Sequence, residues 1–567
     1  MLFLATFAVG VGLRVVVTAA YTPALLFPDS RGYLGRALPF EVKDTRPSGY
    51  SLFLLPFRLV GHGLSSIEIV QHLMVLALAV LCYAFLLRRG VPRWGATLAV
   101  LPLLLDPLQL VLEAYILSDV LFEVLVVGAC LLLLWRRRPG AWSLVLAGVM
   151  VGCSVFVRGA GSFLVVVFLV ALVCLRVRWT RIVGFLVAAI LPVAAYAVDY
   201  HHTYGQYAVT TAGPRFLYAR VAPFVDCHNP QLHLRSYEKV LCPKKPIGQR
   251  HSPDWFMWGH KKAPQWHVQG PPGMTQTQVL KDYDKRVVRA EPLMLARVSM
   301  ADAARAFAPV RTHDVPGHPA SYWLFAGHYW SPDLFIKRGV LSPTIRHGTG
   351  YRPRLANFLT GYQKWVYAPG PLMAALLLVA VAGILGLGRA RRSGHRVAIG
   401  LLTATCVLPL LTGAALSGFA WRYQLPQIPL LPVAGALGLA ALVRGRGPGQ
   451  PEPDPPLRLL DRGAARLTRL PMPASWRAGL ERAVGTGALQ VGLAVVTGAV
   501  VAVLSGLLAV ASGWFAPGSA AVIGALLGVL SMVMLLVARA RSRSDLPPAA
   551  DPPAADSAGP RRTSAHT

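Results

Sequence analysis

The stretch Gly418-Phe419-Ala420-Trp421-Arg422-Tyr423-Gln424-Leu425-Pro426 lies between two apolar runs, Val397–Ser417 and Leu425–Val443. Each run has about 20 residues, enough to cross the roughly 30 Å hydrocarbon core of a bilayer. An arginine at the bilayer centre costs about 2.5–3.5 kcal/mol on insertion scales. Arg422 therefore belongs at an interface or inside a helix bundle. Similar runs recur outward from this point: Leu2–Ala20, Ile67–Leu87, Trp94–Leu112, Ile116–Trp135, Trp142–Val157, Ala160–Leu175, Ile182–Val198, Pro371–Leu387, Ala488–Ala511 and Ser519–Val537. The pattern predicts an all-α polytopic membrane protein of about 12 transmembrane helices.

Composition agrees, because the 567 residues are 54% hydrophobic and only 14% charged. The net charge of +31 raises the question of nucleic acid. The placement of that charge argues against such a partner. Arg88-Arg89 with Arg93, Arg136-Arg137-Arg138, Arg176 with Arg178 and Arg181, Arg389 with Arg391 and Arg392, and Arg444 with Arg446 all fall between spans. Such clusters set topology and touch lipid headgroups, so the expected surroundings are membrane lipids. With the N-terminus in the cytoplasm every cluster lies inside, and with it outside every cluster lies on the wrong side. The expected location is thus the cell membrane, with both termini cytoplasmic. Met1–Ala20 lacks a basic start and is interrupted by Arg14, so it reads as a first transmembrane helix and not as a signal peptide. Trp142–Leu175 is too long for one span and reads as two helices meeting at Arg158-Gly159.

This topology divides the chain. Residues 1–200 form an N-terminal membrane core with a first outer loop at 21–66. Residues 201–369 form a mixed extracytoplasmic loop domain, within which Glu291–Ala308 reads as a helix. Residues 370–443 complete the core. Residues 444–486 are a cytoplasmic linker with a basic amphipathic stretch, Leu457–Ala483. Residues 487–538 add two Gly- and Ala-rich spans that read as a packing appendage, and residues 539–567 are a disordered cytoplasmic tail. Five of the seven cysteines lie in apolar spans. Cys227 and Cys242 share the exported segment, where a disulfide is the natural reading.

Polar residues gather where spans meet on the predicted outer face. They are Asp29 in Phe27-Pro28-Asp29-Ser30-Arg31; Asp106, Glu113, Tyr115, Ser118 and Asp119; Arg158; Asp199, Tyr200, His201 and His202; and Arg422 with Tyr423. Acids beside apolar spans are costly and usually functional. Such a set suits transfer from an anionic lipid-linked donor. A carboxylate such as Asp29 acts as general base on a hydroxyl, arginines hold a phosphate bidentately, and further acids hold a cation or a sugar hydroxyl. The eleven histidines between His201 and His347 (His201, His202, His228, His233, His251, His260, His267, His313, His318, His328 and His347) show no HExxH-like spacing. They read as surface or acceptor-groove residues rather than zinc ligands. Trp255, Trp258, Trp266, Trp323 and Trp330 either stack on sugars or pack the loop domain.

Four short motifs, in order and on one side, resemble those of the GT-C superfamily of polytopic glycosyltransferases, in particular the protein mannosyltransferase and aminoarabinose transferase branch. They are Asp29 in the first loop, Arg46-Pro47-Ser48-Gly49-Tyr50, Ser118-Asp119-Val120-Leu121-Phe122, and Arg422-Tyr423-Gln424-Leu425-Pro426-Gln427-Ile428-Pro429. The resemblance spans about Met1–Val443. It implies an inverting membrane glycosyltransferase that takes a sugar from a polyprenyl-phosphate donor. The acceptor, a protein, lipid or glycan, lies outside the cytoplasm. It implies catalytic roles for Asp29 and Asp119, lipid-phosphate contacts from Arg158 and Arg422, and leaves a divalent cation open as a cofactor. Arg46, Tyr50, Glu113, His201 and Tyr423 complete the expected substrate-binding set. The chain departs from the family where Ser30 follows Asp29 in place of a second acid, where Asp119 replaces a more frequent Glu, and where Val157 and Gly159 flank Arg158. A transporter or lipid flippase of the cell envelope is the alternative, although no internal repeat is visible and the polar residues sit at one face.

Overall fold

The computed structural model describes residues 1–60, 63–136, 138–259, 262–311, 319–325, 350–387, 389–390 and 393–444. The predicted linker, amphipathic stretch, last two spans and tail lie outside the described residues. So do His260, His313, His318, His328, His347 and Trp330.

In chain order the helices begin with α1 (Leu2–Ala20), α2 (Pro28–Leu34), α3 (Gly49–Leu59), α4 (Leu64–Arg88), α5 (Arg93–Leu105) and α6 (Pro107–Ala114). Next come α7 (Ser118–Leu134), α8 (Ala141–Val157), α9 (Leu164–Cys174), α10 (Trp179–Tyr204), α11 (Gly213–Val221) and α12 (Pro253–Trp258). The last six are α13 (Gln276–Ala290), α14 (Pro292–Ala304), α15 (Pro353–Tyr362), α16 (Gly370–Leu385), α17 (Arg396–Leu416) and α18 (Gln427–Arg444). Two short strands, β1 (Tyr21–Thr22) and β2 (Gly350–Tyr351), pair antiparallel and join the exit of α1 to the end of the long segment after α10. That segment, expected to be mixed, is helical apart from β2 among the described residues.

The protein is a multi-pass membrane protein. By length and composition five helical runs can cross a bilayer: Leu2–Ala20, Leu64–Arg88, Trp179–Tyr204, Arg396–Leu416 and Trp421–Val443. The bent pair α5 and α6 makes a sixth candidate. Each span predicted before residue 444 falls on a helix or a helix pair.

Two breaks carry a physical reason. The predicted span Trp94–Leu112 bends by 46° at Asp106. Proline disfavours a helical conformation in the residue before it, and it fits the first position of a new helix. Asp106 accordingly leaves α5 extended, and its Oδ1 accepts the Leu108 N–H at 2.9 Å as the N-cap of α6. The same carboxylate takes Arg311 Nη1 at 2.6 Å and the Ala368 N–H at 2.9 Å. Asp106 is thus a structural hub. The second break is at Arg158, which is extended (φ −147°, ψ 131°) between α8 and a 3-10 turn, Gly159–Phe163, leading into α9.

Arg14, the charge inside the first apolar run, is almost fully buried and finds partners across the bundle. Its Nη2 and Nε donate to the two oxygens of Glu113 at 2.7 and 2.8 Å, and its Nη1 donates to the carbonyls of Gly10 and Leu104 at 3.0 Å. Glu113 Oε2 also meets His72 Nδ1 at 2.7 Å, and His72 Nε2 lies 3.4 Å from Glu68. A buried charge is tolerated only when paired and hydrogen-bonded, so this network ties α1, α4 and α6 together.

In the long segment α11, α12 and α13 enclose their own core, with Tyr218, Val225, Leu241, Phe256, Leu280 and Tyr283 at its centre. Cys227 and Cys242 are disulfide-bonded, with Cα atoms 6.1 Å apart, and close a loop over that core. A loop of this size is worth about 3 kcal/mol in the chain-entropy model. The Cys227→Ser, Cys242→Ser double variant should therefore melt at lower temperature, and non-reduced peptide mapping of the native protein should recover the linked pair. Two free thiols would contradict it.

Candidate active site

A cavity of about 460 Å³ opens at the end of the bundle where the 21–66 loop and the long segment emerge. Asp29, Arg46, Asp119, Arg158, Arg422 and Tyr423 all line it, so four distant stretches of chain converge there.

Each stretch is held by local chemistry. Pro28 opens α2, and the Phe27 N–H donates to Ser30 Oγ at 2.9 Å, which fixes Asp29 in the first turn. Gly49 begins α3 against α8, where any added Cβ would overlap the Phe156 carbonyl oxygen. That close approach sets Arg46 beside the Arg158 turn. Gly418 has φ +89°, a left-handed value that favours glycine, and turns the chain from α17 into the 3-10 turn Trp421–Gln424. Asp119 stands in the first turn of α7, beside Ser118, whose Oγ lies 3.2 Å from the Tyr33 hydroxyl.

Charges in the cavity are cross-linked. Asp29 pairs with Arg46 through one oxygen and with Arg422 Nη1 through the other, at 3.1 Å. Asp119 pairs with Arg158. The guanidinium of Arg422 lies over Trp323 at 5.2 Å and Phe27 at 5.7 Å, and that of Arg158 over Tyr423 at 5.5 Å. Arg46 is covered by Trp258 at 5.0 Å. Aromatic faces attract cations and remove them from water, which strengthens what they bind. Among the described wall residues, two polar side-chain atoms are buried without a hydrogen-bond partner: Asp119 Oδ2 and Arg422 Nε. One can accept from a hydroxyl and the other can donate to an anion.

Burial pushes the Asp29 carboxyl upward, but the Arg46 and Arg422 guanidiniums outweigh it and hold the pKa at about 2. A carboxylate so strongly stabilised is a weak proton acceptor. In this arrangement Asp29 is paired through both oxygens with Arg46 and Arg422, which lowers its affinity for a proton. Asp254, at the start of α12, behaves in the opposite way. Burial first, and then the Asp29 charge, raise it to about 6 against the pull of Arg422 and Arg46.

Three expected substrate contacts fall elsewhere. Glu113 is fully buried and committed to Arg14 and His72, because its helix turns inward after the Asp106 bend. Tyr50 is also fully buried and donates to Gln71 Oε1 at 2.7 Å, standing behind Tyr33 as a support. His201, on the last turn of α10, stacks on Tyr207 at 4.1 Å and is not part of the cavity wall. Asp254 and Arg311 were not singled out from sequence. Ser252-Pro253-Asp254 reads as an ordinary helix start, and Ser252 does accept the Trp255 N–H at 3.3 Å. Arg311 bridges Asp106 and Gln424, at 2.6 and 3.0 Å.

A divalent cation does not fit the donor set. Asp29 is taken up by guanidiniums through both oxygens and Asp119 through one, and among the described residues no three His, Cys, Asp or Glu side chains gather as metal ligands.

Residues 64–222, which carry α4 to α11 with Asp119 and Arg158, match the family model described as dolichyl-phosphate-mannose-protein mannosyltransferase. The chain thus carries a mannosyltransferase-like segment over less than half of its length. Two solved structures are similar to it: ArnT from Cupriavidus metallidurans in the apo state, at 14% identity, and the same protein bound to undecaprenyl phosphate, at 13%. In each case 83% of this chain and 81% of the other are covered with a TM-score of 0.29, a loose superposition. No curated protein matches the chain. The family match covers residues 64–222; Asp29, Arg46 and Arg422 lie beyond its bounds and join the cavity through the fold.

Proposed function

We propose that this protein is a membrane glycosyltransferase that moves a sugar from a polyprenyl-phosphate donor to an acceptor outside the cytoplasm, and that the Asp29–Arg46–Arg422 and Asp119–Arg158 clusters form its active site. The observation that carries the reading is three arginines and two aspartates around one cavity at one end of a membrane bundle. The excess positive charge suits a phosphodiester, and the bundle gives the prenyl chain a hydrocarbon route to the site.

Arg422 and Arg158 hold the phosphate and stabilise it as it leaves. Asp119 Oδ2 accepts a sugar hydroxyl. Asp29 keeps Arg46 and Arg422 oriented and faces the positive charge that develops at the anomeric carbon. The outside location is supported by the basic residues Arg138 and Arg178. They precede α8, whose far end at Val157 lines the cavity, and α10, which leads into the wall residues Val209 and Thr210. The matched family's description names a protein acceptor and a mannose donor. For this chain the acceptor is proposed only as a hydroxyl-bearing protein, lipid or glycan.

Purified full-length protein should release polyprenyl phosphate from at least one member of a panel of polyprenyl-phosphate sugars. Arg422→Ala should weaken donor use by about 1.5–3 kcal/mol, which is roughly 10–100-fold in donor KM. Absence of turnover with every donor, or unchanged donor use by the variant, would count against the reading.

A further inference from the structure

Residues 350–369 join the long segment to α16 and carry Arg352, Arg354 and Lys364 with no acidic residue. Within this stretch α15 has one side turned inward and the other left bare. Ala356 and Leu359 are buried, whereas Arg354, Asn357, Phe358 and Gly361 are exposed. In the turn that follows, Lys364 and Trp365 are exposed as well. Phe358 shows 53% of its surface and Trp365 86%, which is far more than large aromatic rings usually leave open.

The height of α15 is fixed by the ends of three apolar helices. The Arg352 N–H donates to the carbonyl of Ala20, the last residue of α1, at 3.1 Å. The Tyr362 hydroxyl donates to the carbonyl of Leu105, the last residue of α5. The Ala368 N–H donates to Asp106 at 2.9 Å, just before α16 begins at Gly370. A helix tied to the ends of α1, α5 and α16 stands level with the rim of the apolar bundle. From that rim an apolar groove of about 670 Å³ runs between α5, α16 and α18. Val366 and Tyr367, next in the chain after Trp365, belong to its wall. Leu98, Leu372 and Leu439 on the same wall are exposed, so the groove opens away from the bundle, toward lipid.

We propose that α15 and the turn after it are a docking surface for an anionic lipid layer, with Phe358 and Trp365 entering the headgroup region and Arg354 and Lys364 meeting the lipid phosphates. Three features commit the surface to lipid. It is pinned at the level where apolar helices end, it continues into a groove that opens toward hydrocarbon, and its charge has one sign. An indole suits this level because its body is apolar and its N–H is polar. Arginine and lysine lay their stems along apolar surface and keep the charge among headgroups, where anionic lipids attract them. A second copy of the chain on this face would set like charges against each other, which disfavours pairing. The docking is independent of the transfer chemistry, and its test needs no turnover.

Full-length protein carrying Cys174→Ser, which removes the exposed free thiol, receives a bimane probe at Gly361→Cys. Gly361 is exposed and an added Cβ there meets nothing within 4 Å, so the probe stands on the Phe358 side without crowding the helix. The protein is reconstituted in phosphatidylcholine vesicles to which phosphatidylglycerol or phosphatidylcholine with brominated chains is added. Bromine should quench this probe several-fold more than one at Lys285→Cys, an exposed position on α13. Half-quenching should need about fivefold less brominated phosphatidylglycerol than brominated phosphatidylcholine. The Arg354→Gln, Lys364→Gln double variant should bring the two lipids to parity. Quenching no stronger than at Lys285→Cys, or equal half-quenching by both lipids without the double substitution, would overturn the proposal. Self-quenching that rises with protein density would do so too, and would assign the surface to a second copy. If Gly361→Cys fails to fold, Asn357→Cys on the same side gives the same reading.

Discussion

Asp29→Asn should lower kcat by about 10²–10³-fold while donor affinity is retained or rises. The substitution keeps size and removes the charge that pairs with Arg46 and Arg422. Both guanidiniums sit under aromatic rings with little access to water, so neither regains the lost partner cheaply. Removing one member of a buried charged pair typically costs 3–5 kcal/mol, which is of the size that separates a working from a failing transition state. The direction in KM follows from the wall. Three positive charges would face one remaining carboxylate, Asp119, so an anionic donor is attracted more strongly. The loss therefore falls on the step in which charge separates at the anomeric carbon. Single-turnover rates beside donor-binding titrations on the purified variant separate the two. A normal rate, or a defect confined to KM, would remove Asp29 from the role proposed for it.

Glu113→Leu should destabilise the bundle by about 3–5 kcal/mol and leave little folded protein in detergent. Glu113 is the anion on which Arg14 and His72 converge, and its leucine counterpart strands a guanidinium in the apolar interior. The double variant Arg14→Met, Glu113→Leu should recover much of that loss, because replacing a buried pair by apolar groups of similar volume is often near neutral. Thermal unfolding and size-exclusion recovery measure both. A Glu113→Leu single variant as stable as the native protein would show that Arg14 reaches water or another anion.

These expectations rest on placements of unequal visibility. The spans, their order and the basic clusters follow from local composition, since a bilayer admits only long apolar helices and charge bias orients them. The break at Asp106-Pro107 was available in the same way, from the backbone restriction that proline imposes, although hydropathy alone ran through it. Asp29, Asp119, Arg158 and Arg422 were also legible, because charged residues beside apolar runs are rare enough to carry information. Glu113 met the same criterion and proved to be a support. Sequence marks that a charge is buried, but not whether its partner is a substrate or another side chain 99 residues away.

The amino-acid sequence by itself therefore determined the helical membrane architecture and the short list of charges near the ends of its spans. Only the tertiary structure decided which of those charges meet. It set Asp29 between Arg46 and Arg422, gave Arg14 to Glu113, and paired Asp119 with Arg158. The reason is physical: apolar length and backbone restriction act within one helix. The partner of a charge depends on how helices distant in sequence pack, and that pairing sets both its proton affinity and its use.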